Sequence, residues 1–181
     1  MKLKASKARQ LANFITLSRA VIGLPVVLAL SWGEISIAWI LILIGGISDF
    51  IDGWLARMAG GGSDWGARLD PLADKILLAA PLVWLASKSI LPIWAIWVIF
   101  TRELLVTGWR SDAPQGGPAS RAGKAKTIMQ FSSILMLLWP PNFLLHSELS
   151  KLGWWMFWPY LFLAVSSGTS YLKSQSKPYR Q

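Results

Sequence analysis

Six apolar runs, each close to the ~20 residues that a bilayer-spanning helix needs, divide the chain. They cover roughly residues 13–32, 35–57, 67–88, 92–111, 122–140 and 153–172. Backbone polar groups at that depth must be satisfied within the segment, which leaves helices as the way to cross. With 181 residues, enough for one domain, the expected fold is all-α: an integral membrane bundle of six transmembrane helices. Residues 1–12 (MKLKASKARQLA) are basic, and they are expected to form a short interfacial helix on an anionic leaflet. The six-span domain then takes in residues 13–173, and residues 174–181 form a basic tail. A cleaved signal peptide is the competing reading of the start. Against it, Asn13, Thr16 and Arg19 lead into a run of full spanning length.

The net charge of +9 would raise the question of nucleic acid in a soluble chain. Here the bilayer accounts for it, because basic residues gather in cytoplasmic loops and near anionic headgroups, and no nucleic-acid partner is expected. The loops on one side carry Lys2, Lys4, Lys7 and Arg9, then Arg57 and Arg68, then Arg110, Arg121, Lys124 and Lys126, then Lys173, Lys177 and Arg180. The opposite loops carry Lys88 and Lys151. This asymmetry predicts a multi-pass protein of the cell membrane with both termini on the cytoplasmic side. Trp32, Trp94, Trp139, Trp154, Trp155 and Trp158 fall at the presumed interfaces and read as anchors. His146 reads as a solvated residue of an external loop. The absence of cysteine excludes disulfides and thiolate metal sites. Pro25, Pro81 and Pro159 lie inside spans, where kinks are expected.

Within this apolar background, residues 49–74 (DFIDGWLARMAGGGSDWGARLDPLAD) carry two spaced pairs of carboxylates, Asp49 with Asp52 and Asp70 with Asp74. Asp49 and Asp52 are three apart, and Asp70 and Asp74 are four apart, so on helices each pair shares a face. Two helices joined by a turn at Gly60, Gly61 and Gly62 would bring all four to one end of a hairpin, on the cytoplasmic side. Clustered carboxylates near lipid repel one another unless cations join them. Hard oxygen donors suit one or two divalent ions, magnesium, manganese or calcium. Gly53 and Ala56 leave open space beside these acids, and Arg57 and Arg68 flank them. Helix caps and surface charges at a membrane boundary are the plainer reading, but lone caps do not come as two spaced pairs with small residues between them.

A second constellation is basic. Arg102 sits inside the fourth run beside Glu103, and Arg110, Arg121, Lys124 and Lys126 follow on the same side as the aspartates. Converging Arg and Lys hold phosphate well. For Arg102 a structural ion pair with Glu103 or an aspartate is the alternative. For Arg121, Lys124 and Lys126 it is the charge bias of cytoplasmic loops alone.

The spacing Asp49-x-x-Asp52-Gly53-x-x-Ala56-Arg57, eight residues, Gly66-x-x-x-Asp70-x-x-x-Asp74 resembles the signature of the CDP-alcohol phosphatidyltransferases, with every signature position filled. Asn13-Phe-Ile-Thr16-Leu-Ser-Arg19, the segment TRELLVTGWR at 101–110 and AGKAKT at 122–127 resemble the bacterial phosphatidylglycerophosphate synthases within that family. The resemblance implies transfer of a phosphatidyl group from CDP-diacylglycerol to sn-glycerol 3-phosphate, with release of CMP. It implies two ions, Mg2+ or Mn2+, with Asp49 and Asp70 touching both, Asp52 the first and Asp74 the second. Asp74 would be the proton acceptor and Asp70 its catalytic partner. Gly53, Ala56, Arg57, Ser63 and Gly66 would bind CDP-diacylglycerol, and Arg102, Arg110, Arg121, Lys124 and Lys126 the acceptor phosphate. A homodimer with lateral access for membrane lipids is also implied. The rival acceptors are inositol phosphate, phosphatidylglycerol and serine. The rival class is a divalent-cation transporter, which would place its acids near the membrane midplane.

Overall fold

The computed structural model of the chain describes residues 2–58, 64–111 and 121–175. These residues form six α-helices and no strand: α1 (Lys2–Ser31), α2 (Ile35–Met58), α3 (Asp64–Ser87), α4 (Ile93–Ser111), α5 (Arg121–Leu137) and α6 (His146–Gln175). The all-helical expectation holds, and the six helices fall on the six apolar runs. The start differs from the expectation. The basic segment is not a separate interfacial helix but the first turns of α1, which runs unbroken for 30 residues. No Gly or Pro interrupts KLKASKARQLANFITLSRAVI, so nothing in that stretch ends a helix. The third helix begins at Asp64, three residues before the expected run, and continues through Pro71. The expected glycine turn at 60–62 falls outside the described residues, as do residues 112–120.

By length and composition alone, among the described residues, Asn13–Ser31 is long and apolar enough to cross a membrane, and Ile35–Asp49 is apolar but shorter. The other expected spans fall short of that test for a physical reason. Charges interrupt α3 at Asp74 and Lys75 and α4 at Arg102 and Glu103, α5 is 17 residues long, and α6 is rich in Trp, Ser and Tyr.

The chain forms two compact units, Met1–Trp84 with Leu138–His146, and Leu85–Leu137 with Ser147–Gln181. In the first, α1 closes on a Schellman motif. Gly33 adopts φ 83°, its N–H meets Leu30 O at 3.3 Å, and Glu34 N–H meets Ala29 O at 2.8 Å. Two glycines then let α3 approach its neighbours closely. A Cβ at Gly23 of α1 would lie 3.3 Å from Ile76 Cγ2, and one at Gly45 of α2 would lie 2.4 Å from Leu77 Cδ2. Trp139 stacks edge-on against Trp39 (5.3 Å between centroids) and Phe143, and donates to Leu144 O. His146 opens α6 half-buried, its Nδ1 2.7 Å from Trp139 O, rather than free in solvent. In the second unit, α5 and α6 cross at Gly153, where a Cβ would meet Leu137 N at 2.8 Å, and Ser133 Oγ donates to Gly153 O at 2.8 Å.

The polarity of α1 runs opposite to that of a helix in a soluble protein. Phe14, Leu17, Val21, Leu24 and Leu28, spaced three and four apart, form an exposed apolar stripe. Thr16 and Arg19 are buried on another face. Along α2, Ile37, Ile40, Ile44, Ile47 and Ile51 repeat the exposed stripe.

Candidate active site

The two glycine crossings set the geometry of the site. Gly23 lies one turn after Arg19 on α1, and Gly45 one turn before Asp49 on α2, so each crossing clamps a helix beside its charged residue. Asp74 sits just before Ile76 and Leu77, the residues of α3 that meet those glycines. The result is a three-helix convergence of charge. Arg19 Nη1 donates to Asp49 Oδ1 at 2.5 Å and also to Asp74 Oδ1. The guanidinium side chain is 0% exposed, whereas the carboxylates are 50% and 41% exposed. An unpaired charge buried that deeply would be prohibitive, so Arg19 depends on both acids.

Asp49 and Asp74 thus come together as the pattern of paired acids predicted, from different helices and at one point. Asp52 and Asp70 occupy helical positions three after Asp49 and four before Asp74, on the same faces by helical spacing. The side chains of Asp52, Gly53, Ala56, Arg57, Gly66 and Asp70 are outside the described part of the structure, and Ser63 lies outside the described residues altogether. Among the described residues, no group of three or more carboxylates, histidines or cysteines forms a metal cage. The donor chemistry nevertheless fits a hard divalent cation. Carboxylate oxygens from α2 and α3 already converge on one cationic nitrogen, and such hard oxygen donors are the ones a divalent ion takes. Arg19 is the site residue to which no site role was assigned from sequence. The available signal was a charged residue inside an apolar run, the same signal that singled out Arg102.

The second unit gathers the basic cluster around a carboxylate. Glu103 Oε1 accepts from Arg102 Nη1 at 2.7 Å and from Lys126 Nζ at 2.5 Å. Arg102 is further fixed by Nε to Ala164 O at 3.0 Å and Nη2 to Ser167 Oγ at 2.8 Å. Gly168 leaves room for its stem, since a Cβ there would lie 3.1 Å from Arg102 Cγ. Arg102 and Lys126 both meet on Glu103: for Arg102 this is the ion pair weighed as its alternative, and for Lys126 it is a partner that was not expected. Arg110 lies in the last turn of α4 and Arg121 and Lys124 in the first turn of α5, with side chains outside the described part of the structure.

The sequence family described as CDP-alcohol phosphatidyltransferase matches residues 9–166, a span that holds both charged clusters. The chain belongs to this family. It is therefore an enzyme of the CDP-alcohol phosphatidyltransferase class. It is 38% identical over 152 residues to a probable phosphatidylglycerophosphate synthase of Mycobacterium tuberculosis (strain ATCC 25618 / H37Rv), covering 78% of this chain and 73% of that protein. It is 33% identical to the CDP-diacylglycerol–glycerol-3-phosphate 3-phosphatidyltransferase of Bacillus subtilis (strain 168), covering 89% and 92%. A protein of the same name from Rickettsia felis is 28% identical, covering 93% and 97%. The Bacillus and Rickettsia matches reach nearly the full length of those proteins, so the likeness is not confined to the aspartate signature.

Proposed function

We propose that this phosphatidyltransferase takes the phosphatidyl group from CDP-diacylglycerol and gives it to sn-glycerol 3-phosphate, forming phosphatidylglycerophosphate and CMP. The observation that carries the reading is the convergence of Asp49 and Asp74 on one buried cation, inside a chain whose bacterial relatives bear that activity in their names. Asp49, Asp52, Asp70 and Asp74 hold two divalent cations, Mg2+ or Mn2+. Bound there, the ions neutralise the pyrophosphate and the charge that develops on the attacking and leaving oxygens. Asp74 takes the proton of the incoming hydroxyl, a role open to a carboxylate placed within hydrogen-bond reach. Gly53, Ala56 and Gly66 leave space for the cytidine, and Arg57, with Ser63, binds the donor phosphates. Arg102, Arg110, Arg121, Lys124 and Lys126 bind the acceptor phosphate.

The enzyme works as a multi-pass protein of the cell membrane with its site on the cytoplasmic side. Exposed stripes of Ile and Leu along α1 and α2, with Arg19 turned inward, support a lipid surround, since contiguous apolar surface of this kind is avoided in water. Charge asymmetry between the loops supports the orientation.

An acceptor screen tests the proposal. Purified protein in detergent receives CDP-diacylglycerol, Mg2+ or Mn2+, and one alcohol at a time, with CMP release as the readout. Release with glycerol 3-phosphate alone is expected. Release with inositol phosphate, phosphatidylglycerol or serine would overturn the acceptor assignment. No release with any of them, from folded and metal-loaded protein, would favour cation transport.

A further inference from the structure

Arg19 has no part in the donor, acceptor or metal roles proposed above, yet it is the group on which the described carboxylates meet. Its position is built rather than incidental. The helix crossings at Gly23–Ile76 and Gly45–Leu77 each lie within about one turn of the charges they flank. Thr16, one turn before Arg19, is itself 2% exposed, so the face carrying Arg19 is packed on both sides of it. A fully buried guanidinium there needs Asp49 and Asp74, whose half-exposed carboxylates stay open to a second cation. The carboxylate oxygens that satisfy Arg19 are also the hard donors that a divalent ion would use.

We propose that Arg19 is a positioning residue: its guanidinium holds Asp49 and Asp74 together in the metal-free protein and competes with the divalent cation for them. The inference rests on the reading of the aspartates as metal ligands. Its consequence is a sign that a purely structural arginine would not give. Removing an ordinary structural arginine loosens the site and weakens metal binding. Removing a competitor tightens it, because the metal no longer displaces charge-assisted hydrogen bonds and meets acids without a neutralising cation.

The test measures Mn2+ binding to the full-length protein in detergent, without substrates, from the electron paramagnetic resonance of free Mn2+. Thermal unfolding is followed in parallel in EDTA and in saturating Mn2+. Arg19→Met is expected to bind Mn2+ about tenfold tighter than wild type, in keeping with the loss of competing charged hydrogen bonds. It should unfold at lower temperature in EDTA and regain most of that loss with Mn2+. Arg19→Lys, which keeps the charge but not the planar fork, is expected to shift affinity the same way by a smaller factor. It carries the test alone if Arg19→Met does not fold. Unchanged or weaker Mn2+ binding in a folded Arg19 variant overturns the inference. Wild-type protein that binds no Mn2+, or an Asp70→Asn variant that binds it as well as wild type does, defeats the metal reading itself, whatever Arg19 does.

Discussion

Glu103 offers the sharpest test of how the second unit is held together. Its carboxylate is 15% exposed and accepts from Arg102, also 15% exposed, and from Lys126, 10% exposed. At such separations each pair is worth roughly 6 kcal/mol of gross attraction at an effective dielectric near 20, most of it offset by the cost of desolvating the partners. The net value of the pairs is therefore small, but the cost of breaking them is not. Glu103→Gln keeps the shape and an acceptor oxygen while leaving two neighbouring cations without their counter-charge, a change that costs about 3–5 kcal/mol for buried pairs. Arg102 retains Ala164 O and Ser167 Oγ, which places the expected loss near the lower end, about 3 kcal/mol. The double variant Glu103→Gln with Lys126→Met also removes the ammonium that faced the lost charge, and should recover roughly 2 kcal/mol of that loss. Equilibrium unfolding in a defined detergent micelle, with Lys126→Met alone completing the cycle, measures both. A Glu103→Gln protein within about 0.5 kcal/mol of wild type would refute the claim that these charges are desolvated. Strictly additive single losses would refute the claim that they are coupled.

Three further outcomes are expected. Asp70→Asn and Asp74→Asn should each lower CMP release by roughly 10²–10⁴-fold, with the circular dichroism unchanged in Asp70→Asn and a lower unfolding temperature in Asp74→Asn, which weakens the pairing of Arg19; near-normal turnover in either would undo its catalytic role. Arg110→Ala should raise the KM for glycerol 3-phosphate about 10–100-fold with little change for CDP-diacylglycerol, as expected for loss of a charged hydrogen bond, and the reverse pattern would move the acceptor phosphate elsewhere. Gly153→Ala should cost about 3 kcal/mol or more, because its methyl would meet the backbone nitrogen of Leu137 at 2.8 Å, whereas Gly108→Ala, with no atom within 4 Å, should be neutral or stabilising by about 0.5–1 kcal/mol; equal thermal stability of the two variants would refute the close crossing.

The helices were legible because apolar runs and their interruptions are local properties. The pairs Asp49 with Asp52 and Asp70 with Asp74 were legible because spacing along one helix is local too. What could not be read was which cation the acids meet. Arg19 lies 30 residues from Asp49 and 55 from Asp74, and spacing along one helix carries no information about a partner on another. Glu103 was visible beside Arg102, but its second partner, Lys126, is 23 residues away on α5, and a pattern of basic residues alone made Lys126 look available for a ligand. The unbroken start of α1 was hidden for a different reason. Composition changes sharply at residue 13, and a change of composition resembles a boundary even where the backbone has no cause to break.

Both charged centres follow one physical rule. In a lipid surround, apolar faces give helices no reason to associate, so association falls to close backbone crossings and to buried polar bonds. The first unit uses Gly23 and Gly45 for the crossings and Arg19 for the bonds; the second uses Gly153 and Gly168 with Ser133, Arg102, Glu103 and Lys126. Under the proposed function, the groups that hold each unit together are also the charged groups from which its chemistry is drawn. A ligand that takes one of them, whether a cation at the aspartates or a phosphate at the basic residues, must replace a structural bond as it binds. Stability and ligand occupancy should therefore be linked, with each ligand restoring what its displaced partner had supplied.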